Sequence, residues 1–418
     1  NSILNTQYSI HEEMNILFVT PRLPLPADTG AKIRTLNLLK QVKSRGNRVI
    51  LLSFIYTEDD SRYIKAFEDM GIKVLSVEGR DTIHFSTLAK AFLKRIPLTI
   101  AKYLNKNMAV TLRGAIVQYQ IDVVHFDHLH LSQYAQFCKG VETIIDEHNV
   151  ESTILKRYAQ HQRNPLKRLL LKSEYRKMSV FEKKQCHSAS RVLVVSHTDK
   201  SILEKICEDG LRIEVIPNGV DADYFHPPQT VHHSQEEDSI VFVGSLDWFP
   251  NSDAVSYFCS QILPYIWKKL PHTKFYIVGR NPPARIRNFA KCQSRIIVVG
   301  KAEDIRLYVA KAKVFVVPLR IGGGTRLKIL EALAMKKCVV STSVGAEGLK
   351  VKDAEHLLIA DTALDFARKV VMLMSSKEAR QKLTHQGRGL VAQVYDWKII
   401  GGKLNEVYGG LMHASNQR

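Results

Sequence analysis

The sequence predicts an α/β protein of two doubly wound domains, each a parallel sheet with helices on both faces. Three observations predict it. Short runs of β-branched and apolar residues recur between longer amphipathic segments, and continuous apolar runs of this length suit strands buried on both faces. Strand and helix alternate, which implies parallel βαβ crossovers. The alternation lapses at 226–238 (HPPQTVHHSQEED), where paired prolines, paired histidines and an acidic triplet read as a linker, and it restarts near residue 240.

The expected strands of the first half are Ile16–Thr20, Val49–Phe54, Val74–Val77, Val123–Phe126, Thr143–Asp146 and Val192–Ser196. Those of the second are Ile240–Val243, Phe275–Val278, Ile296–Val299, Val314–Pro318 and Val339–Thr342. The expected division is an N-terminal domain over 14–195, an inter-domain segment and linker over 196–238, a C-terminal domain over 239–390 and a closing segment over 391–418. A chain of 418 residues, 45% apolar and 24% charged, supplies a real core to each domain. Those figures exclude a disordered, collagen-like or disulfide-stapled chain.

Residues 1–13 (NSILNTQYSIHEE) hold no apolar signal core, and Met14 reads as a natural start, so the leader is left out of the fold reasoning. No charge-free apolar run approaches the ~20 residues of a membrane helix. The cysteines at 138, 186, 207, 259, 292 and 338 show neither CxxC nor zinc-ligand spacing. They read as buried, reduced thiols in a reducing compartment.

Lys and Arg number 60 against 41 Asp and Glu, a net charge of +19, which points toward phosphate-bearing or other acidic partners. Two stretches concentrate the surplus. Segment 156–184 holds ten Lys/Arg against Glu174 and Glu182, interleaved with Leu166, Leu169, Leu170 and Leu171. Segment 90–113 sets Phe92, Leu93, Ile96, Leu98 and Ile100 among its cations. Either an anionic membrane surface or plain solvated helix faces accounts for them. Nucleic acid is not expected as a partner, because no RNP, KH or zinc-finger pattern occurs and the aromatics are not interleaved with the basic runs as stacking platforms. A nicotinamide dehydrogenase is not expected either, since no G-x-G-x-x-G follows a predicted strand.

Ligands of doubly wound sheets bind beyond the carboxyl ends of the strands, and two such domains face to face would share one cleft. After Val314–Pro318 comes LRIGGGTRLKILEALAM (319–335). Gly322, Gly323 and Gly324 open a turn. Leu327, Leu330, Leu333 and Ala334 form a helical stripe, so a helix is expected to begin at about Thr325. Its N–H groups favour an anion, glycines let a phosphate approach closely, and Arg326 and Lys328 add cations. Glu331, one turn on, can accept two hydrogen bonds from a ribose diol. These are the parts of a nucleoside-diphosphate site; the competing reading is a flexible loop with Lys328 and Glu331 as a surface pair.

Other strand ends add candidates. Gly244 and Ser245 follow Ile240–Val243, and Trp248 beyond them either stacks on a ligand or packs. Gly30, with Lys32 and Arg34 nearby, follows a proline-stiffened loop after Ile16–Thr20 and is a second candidate for phosphate contact. Val123–Phe126 leads to Asp127, His128 and His130, and Thr143–Asp146 to Glu147, His148 and Asn149. Acids and histidines there suit acid/base work on an acceptor hydroxyl or, equally, hydrogen bonds that cap strand ends. No metal is expected, because nothing repeats zinc or two-metal spacing.

The glycine loop, PNGVD (217–221) and YDWKII (395–400) together resemble the retaining glycosyltransferases of family 4, with the GT-B fold. FVTPRLPLPADTG (18–30), DEHNVE (146–151), VGSLDWFPN (243–251) and 321–349 look most like a bacterial branch that builds surface polysaccharides and glycoconjugates. The resemblance implies two Rossmann-like domains facing across a cleft, with a C-terminal helix crossing back to the first. It implies a nucleotide-sugar donor on the C-terminal domain and a glycan, lipid-linked or protein acceptor on the N-terminal one. A cytoplasmic enzyme, peripheral on the inner face of the membrane, is the matching expectation, with no cofactor and no obligatory metal. Asp221-Ala222-Asp223 mimics the DxD metal motif of other glycosyltransferases, but sits in the linker and reads as structural.

The departures from the family pattern matter. Its Glu-x7-Glu signature would begin at Gly323, so only Glu331 survives. Its Arg and Lys diphosphate pair would follow Val243, where this chain has Gly244, Ser245 and Asn251; Arg326 and Lys328 are expected to replace it. Its acceptor-side histidine falls at or beside Asp127, with His128 adjacent, and His148 matches a second family histidine. The expected catalytic set is Arg326, Lys328, Asp127, His128 and His148. The expected donor-binding set is Gly30, Gly244, Ser245, Gly323, Gly324, Thr325, Arg326, Lys328 and Glu331. The alternatives are a GT-B sugar-nucleotide epimerase and, less favoured, a basic nucleic-acid-binding protein.

Overall fold

A computed structural model describes residues 13–80, 91, 95–162, 164–208, 210–226, 237–321 and 324–415. The apolar runs form strands where expected. In the first half these are β1 (Asn15–Thr20), β2 (Arg48–Ile55), β3 (Lys73–Glu78), β4 (Val123–Asp127), β5 (Glu142–Glu147) and β6 (Arg191–Val194), joined by the unanticipated β7 (Ile213–Val215). They make one parallel sheet in the order β3-β2-β1-β4-β5-β6-β7. Register is set by apolar pairs, Ile16 against Val49 and Val19 against Phe126. Leu17, Val19, Ile50, Leu52, Val124 and Phe126 lie in one buried cluster on this sheet.

In the second half β8 (Glu237–Val243), β9 (Lys274–Val278), β10 (Ile296–Gly300), β11 (Ala312–Val317), β12 (Cys338–Ser341) and β13 (Leu358–Ile359) form a parallel sheet ordered β10-β9-β8-β11-β12-β13. Phe242, Phe275 and Phe315 are buried in its core with Ile329, Leu330 and Leu333 of the helix after the glycine loop.

The two compact units are 1–216 with 401–418, and 217–400. The boundary thus lies at Ile216/Pro217 and not near 195: residues 196–216 carry the helix His197–Cys207 and β7, both part of the first unit. The last helix, Trp397–Ser415, leaves the second unit and from Gly401 belongs to the first. Its buried Leu404, Tyr408 and Leu411 explain why, and Asn405 Oδ1 accepts a hydrogen bond from Asn47 Nδ2 at 2.9 Å.

Two motifs distant in sequence meet in the second unit. The Val220 N–H donates to the Tyr395 carbonyl at 2.8 Å, and Val220 bridges Asp396. A Cβ on Gly219 would stand 2.6 Å from Ile400 Cδ1 and 2.8 Å from Trp397 Cδ2, so only glycine fits there. Asp221 Oδ1 accepts from the N–H groups of Asp223 and Tyr224, and Asp223 pairs with Lys398 at 2.6 Å. The DxD-like triplet is therefore spent on a turn and a surface pair. Five cysteines are buried free thiols as expected, but Cys292 is exposed.

The basic stretch 90–113 divides. Phe92 and Leu93 lie outside the described residues, whereas Ile100 is fully buried beside Leu129, Ile145 and Met178. Its apolar residue is spent on core packing.

Candidate active site

Each sheet reverses its strand order at one point, between β1 and β4 in the first and between β8 and β11 in the second. Such switch points open crevices at the carboxyl ends of the strands. The predicted residues gather at both.

In the second unit, β8 is followed by Gly244, whose N–H donates to the Val278 carbonyl at 2.9 Å. A Cβ on Gly244 would overlap the Lys328 ammonium. That ammonium donates to Asn251 Oδ1 at 2.8 Å and lies 4.4 Å from the centre of the Phe242 ring. Asn251 in turn donates from Nδ2 to the Ser245 carbonyl at 2.8 Å. The chain lacks a cation at 244–251, and Lys328 places one there from the helix that follows the neighbouring strand β11. Burial, helped by the charge of Arg326, lowers the Lys328 pKa to about 7, with Glu331 opposing. Burial raises Glu331 to about 7, with Lys328 opposing.

The helix after the glycine loop spans Leu327–Ala334 with Arg326 at its N-cap, so it begins two residues later than the expected Thr325. Thr325 belongs to the loop, where its Oγ1 accepts from Asn218 Nδ2 at 2.7 Å. The Arg326 guanidinium donates to the Gly324 carbonyl, and Gly324 has φ +71°, a left-handed backbone that favours glycine. Gly322 and Gly323 lie outside the described residues. Trp248 is 57% exposed, so it is no core residue.

In the first unit the acids and histidines are knit together behind the surface. Asp146, at the end of β5, takes a two-pronged ion pair from Arg34, with Nε and Nη2 at 2.9 and 2.8 Å. Both residues are buried. Asp127, at the end of β4, lies 2.8 Å from Thr35 Oγ1 and 2.9 Å from His148 Nε2. His148 Nε2 also lies 3.6 Å from Asp146, and His128 Nδ1 lies 3.2 Å from Asp127 Oδ2. His128 holds φ +105°, a strained conformation that turns its ring to 3.9 Å from that of His148. Behind them His125 stacks on Phe18 and meets the Tyr408 hydroxyl at 2.7 Å.

The charges follow from this wiring. Burial alone would lower His148, but the carboxylates of Asp127 and Asp146 outweigh it and push its pKa up to about 9. Burial alone would raise Asp127, but His148 and His128 hold it well below the usual carboxylate range. Asp146 is likewise depressed, against burial, by Arg34 and His148. His130, buried near these cations, falls to about 3 and is neutral. Asp127, His128 and His148 offer ligand atoms within 4.8 Å of one another, close enough for a metal ion.

Gly30 opens the helix Gly30–Lys43 behind an N-cap Thr29 and is exposed. Its two expected cationic neighbours are otherwise engaged: Arg34 on Asp146, and Lys32 on Asp28 at 3.2 Å. Sequence reasoning missed Arg34 as a buried ion-pair partner, and missed Thr35, His125 and Tyr408. One signal was available: Arg34 stands one turn before Leu38 on the inward face of its helix, and a cation on an apolar stripe implies a buried acid.

Two parallel-sheet, Rossmann-like units of this kind make the GT-B fold found in glycosyltransferases. Residues 29–224 match the model of Glycosyltransferase Family 4, and residues 237–376 match that of Glycosyl transferases group 1. The chain belongs to the family 4 glycosyltransferases. It is 24% identical over 169 residues to a 44.6 kDa protein of the cps region of Klebsiella pneumoniae, covering 39% of this chain and 44% of that one. It is 27% identical over 253 residues to the UDP-Gal:alpha-D-GlcNAc-diphosphoundecaprenol alpha-1,3-galactosyltransferase of Escherichia coli, covering 54% and 63%. The matched stretches thus span about half the length of these curated relatives. Sucrose-phosphate synthase from Thermosynechococcus elongatus shares the fold, with a TM-score of 0.70 at 16% identity over 96% of this chain and all of that one.

Proposed function

We propose that the chain transfers a hexosyl group from a nucleoside-diphosphate sugar to a hydroxyl of a glycan, lipid-linked or protein acceptor, with retention of anomeric configuration. The observation that carries this reading is the Lys328 ammonium fixed on Asn251 beside Gly244, in the first turn of a helix whose N-cap is Arg326. A diphosphate there meets two cations and the free N–H groups of the helix start. Glu331 is placed to accept ribose hydroxyls. The galactosyltransferase relative, whose name specifies a UDP-linked donor, favours a nucleotide sugar of this kind.

In the proposed reaction the bond from the anomeric carbon to the diphosphate oxygen breaks, and a bond from the acceptor oxygen to that carbon forms on the same face. The acceptor proton passes to the departing diphosphate. A covalent enzyme intermediate is disfavoured because Asp127, the carboxylate best placed in the first unit, is occupied by Thr35, His148 and His128. Asp127, His128 and His148 instead orient the acceptor hydroxyl. Arg326 and Lys328 neutralise the leaving group, so turnover needs no metal and survives EDTA.

Removing one preorganised donor of this kind costs roughly 3–4 kcal/mol, or 10²–10³ in rate. Arg326→Ala is expected to lose that much kcat with an unchanged melting temperature. Lys328→Met is expected to lose in addition the stabilisation that UDP, GDP, ADP or dTDP gives the parent in a thermal-shift screen. A kcat change under threefold in Arg326→Ala, or full nucleotide stabilisation in Lys328→Met, would remove that residue from the mechanism.

A further inference from the structure

The helix Pro165–Ser188 is two different objects along its length. Its later turns are anchored in the first unit by buried Met178, Glu182 and Cys186. Its first two turns bury no side chain in the unit: every residue from Asn164 to Leu170 is exposed. Among them Leu166, Leu169 and Leu170 are 78%, 67% and 63% exposed. Their spacing of three and four puts them on one face of the helix. The preceding helix, Glu151–His161, packs along this one and brings exposed Tyr158 one turn from the connecting residues.

The charge around this apolar tip has one sign. Residues 152–173 contain six Lys/Arg and no Asp or Glu. Lys156, Lys167, Arg168 and Lys172 are exposed. The first acid beyond, Glu174, is engaged by Lys177 at 2.8 Å and by the Leu98 N–H at 2.7 Å.

We propose that this helical tip docks the protein on an anionic lipid bilayer. The three leucines enter the boundary between headgroups and acyl chains, while the surrounding ammonium and guanidinium groups meet lipid phosphates. Three leucines on two turns make far less than the roughly 800 Å² that each partner contributes to a stable protein interface. A bilayer imposes no such minimum, because each side chain partitions on its own, and long cations suit a fluid array of phosphates better than a fixed set of carboxylates. The proposal stands apart from the glycosyl-transfer reading, since it uses no residue of either strand-end cluster.

Co-sedimentation of the full chain with vesicles tests it, using phosphatidylcholine alone and phosphatidylcholine with about one-third phosphatidylglycerol. The parent is expected to bind the anionic vesicles and to release them at high salt. L166S/L169S/L170S and K167Q/R168Q/K172Q are each expected to bind at least tenfold more weakly while melting like the parent, since all six side chains are exposed. Absence of binding to anionic vesicles at low salt would overturn the proposal, as would a leucine variant that binds like the parent. Sedimentation velocity supplies a third way to lose: a parent dimer that the leucine variant converts to monomer would assign this face to a second copy.

Discussion

Lys328 shows how one side chain joins packing to chemistry. Its ammonium sits on Asn251 beside the Phe242 ring, with burial and Arg326 holding its pKa near 7. At pH 8 most copies are therefore neutral in the free protein. A diphosphate arriving at Gly244 restores the charged form, because an opposite charge favours it. Nucleotide binding should then take up close to one proton at pH 8 and much less at pH 6, where the lysine is already charged. Titration calorimetry in two buffers of different ionisation enthalpy reads this directly. Gly244→Ala, whose Cβ overlaps the ammonium, should abolish the uptake and weaken binding at least tenfold. Equal uptake at the two pH values would mean that Lys328 does not face the ligand. The cation's identity was legible in the sequence as a basic residue after a glycine turn. Its position against Asn251 was not, because that contact joins residues 77 apart along the chain.

At the scale of elements, buried strands announced themselves and edge strands did not. Val49–Leu52 and Val314–Val317 are continuous apolar runs because both faces of those strands are covered. Strand β7 reads IEV, three residues with an exposed charge at the sheet edge, and β13 is two residues long. Neither offers enough apolar length to be seen, and missing β7 placed the domain boundary some twenty residues early. PNGVD and YDWKII were legible as markers of the family, while their mutual packing appears only in three dimensions. That packing makes a prediction. Gly219 has no room for a methyl group against Trp397 and Ile400, both buried. Gly219→Ala should cost about 1–3 kcal/mol, as overpacking of a filled core does. Denaturant unfolding of the variant measures it, and an unchanged midpoint would mean that the Pro217–Asp221 turn is free to shift away from the closing helix.

For the whole molecule, the buried titratable groups of the first unit give its stability a definite pH dependence. Glu182 is fully buried, accepts hydrogen bonds from the Ser152 N–H and hydroxyl, and is raised by burial to about 7. Glu147 beside it is raised by burial and by the charges of Glu182 and Glu151, and its Oε2 has no hydrogen-bond partner among the described residues. The folded chain thus holds these protons more tightly than the unfolded chain does, so stability falls as pH climbs from about 4.3 toward 7. His148, raised to about 9 by Asp127 and Asp146, acts in the same direction. Its contribution is complete below the ordinary imidazole value of about 6.5 and is lost as pH rises through 9. Asp127 and Asp146, held low by His148 and Arg34, act oppositely, and their contribution disappears below about pH 4. The first unit should therefore melt highest near pH 5 and progressively lower up to pH 9. Lys328, depressed in the second unit, has the reverse sign, because its penalty is relieved as pH rises above 7. Glu331 beside it, raised by burial to about 7, acts like the first unit's acids up to that pH, so the two units should separate in a calorimetric scan as pH increases from 7 to 9. Glu182→Gln keeps the side chain's shape and removes its titration, so it should flatten the slope between pH 5 and 7 for one transition only, which identifies that transition as the first unit's. A first transition whose midpoint holds level or climbs from pH 5 to 9 would show that the acids behind β5 are already ionised in the folded protein.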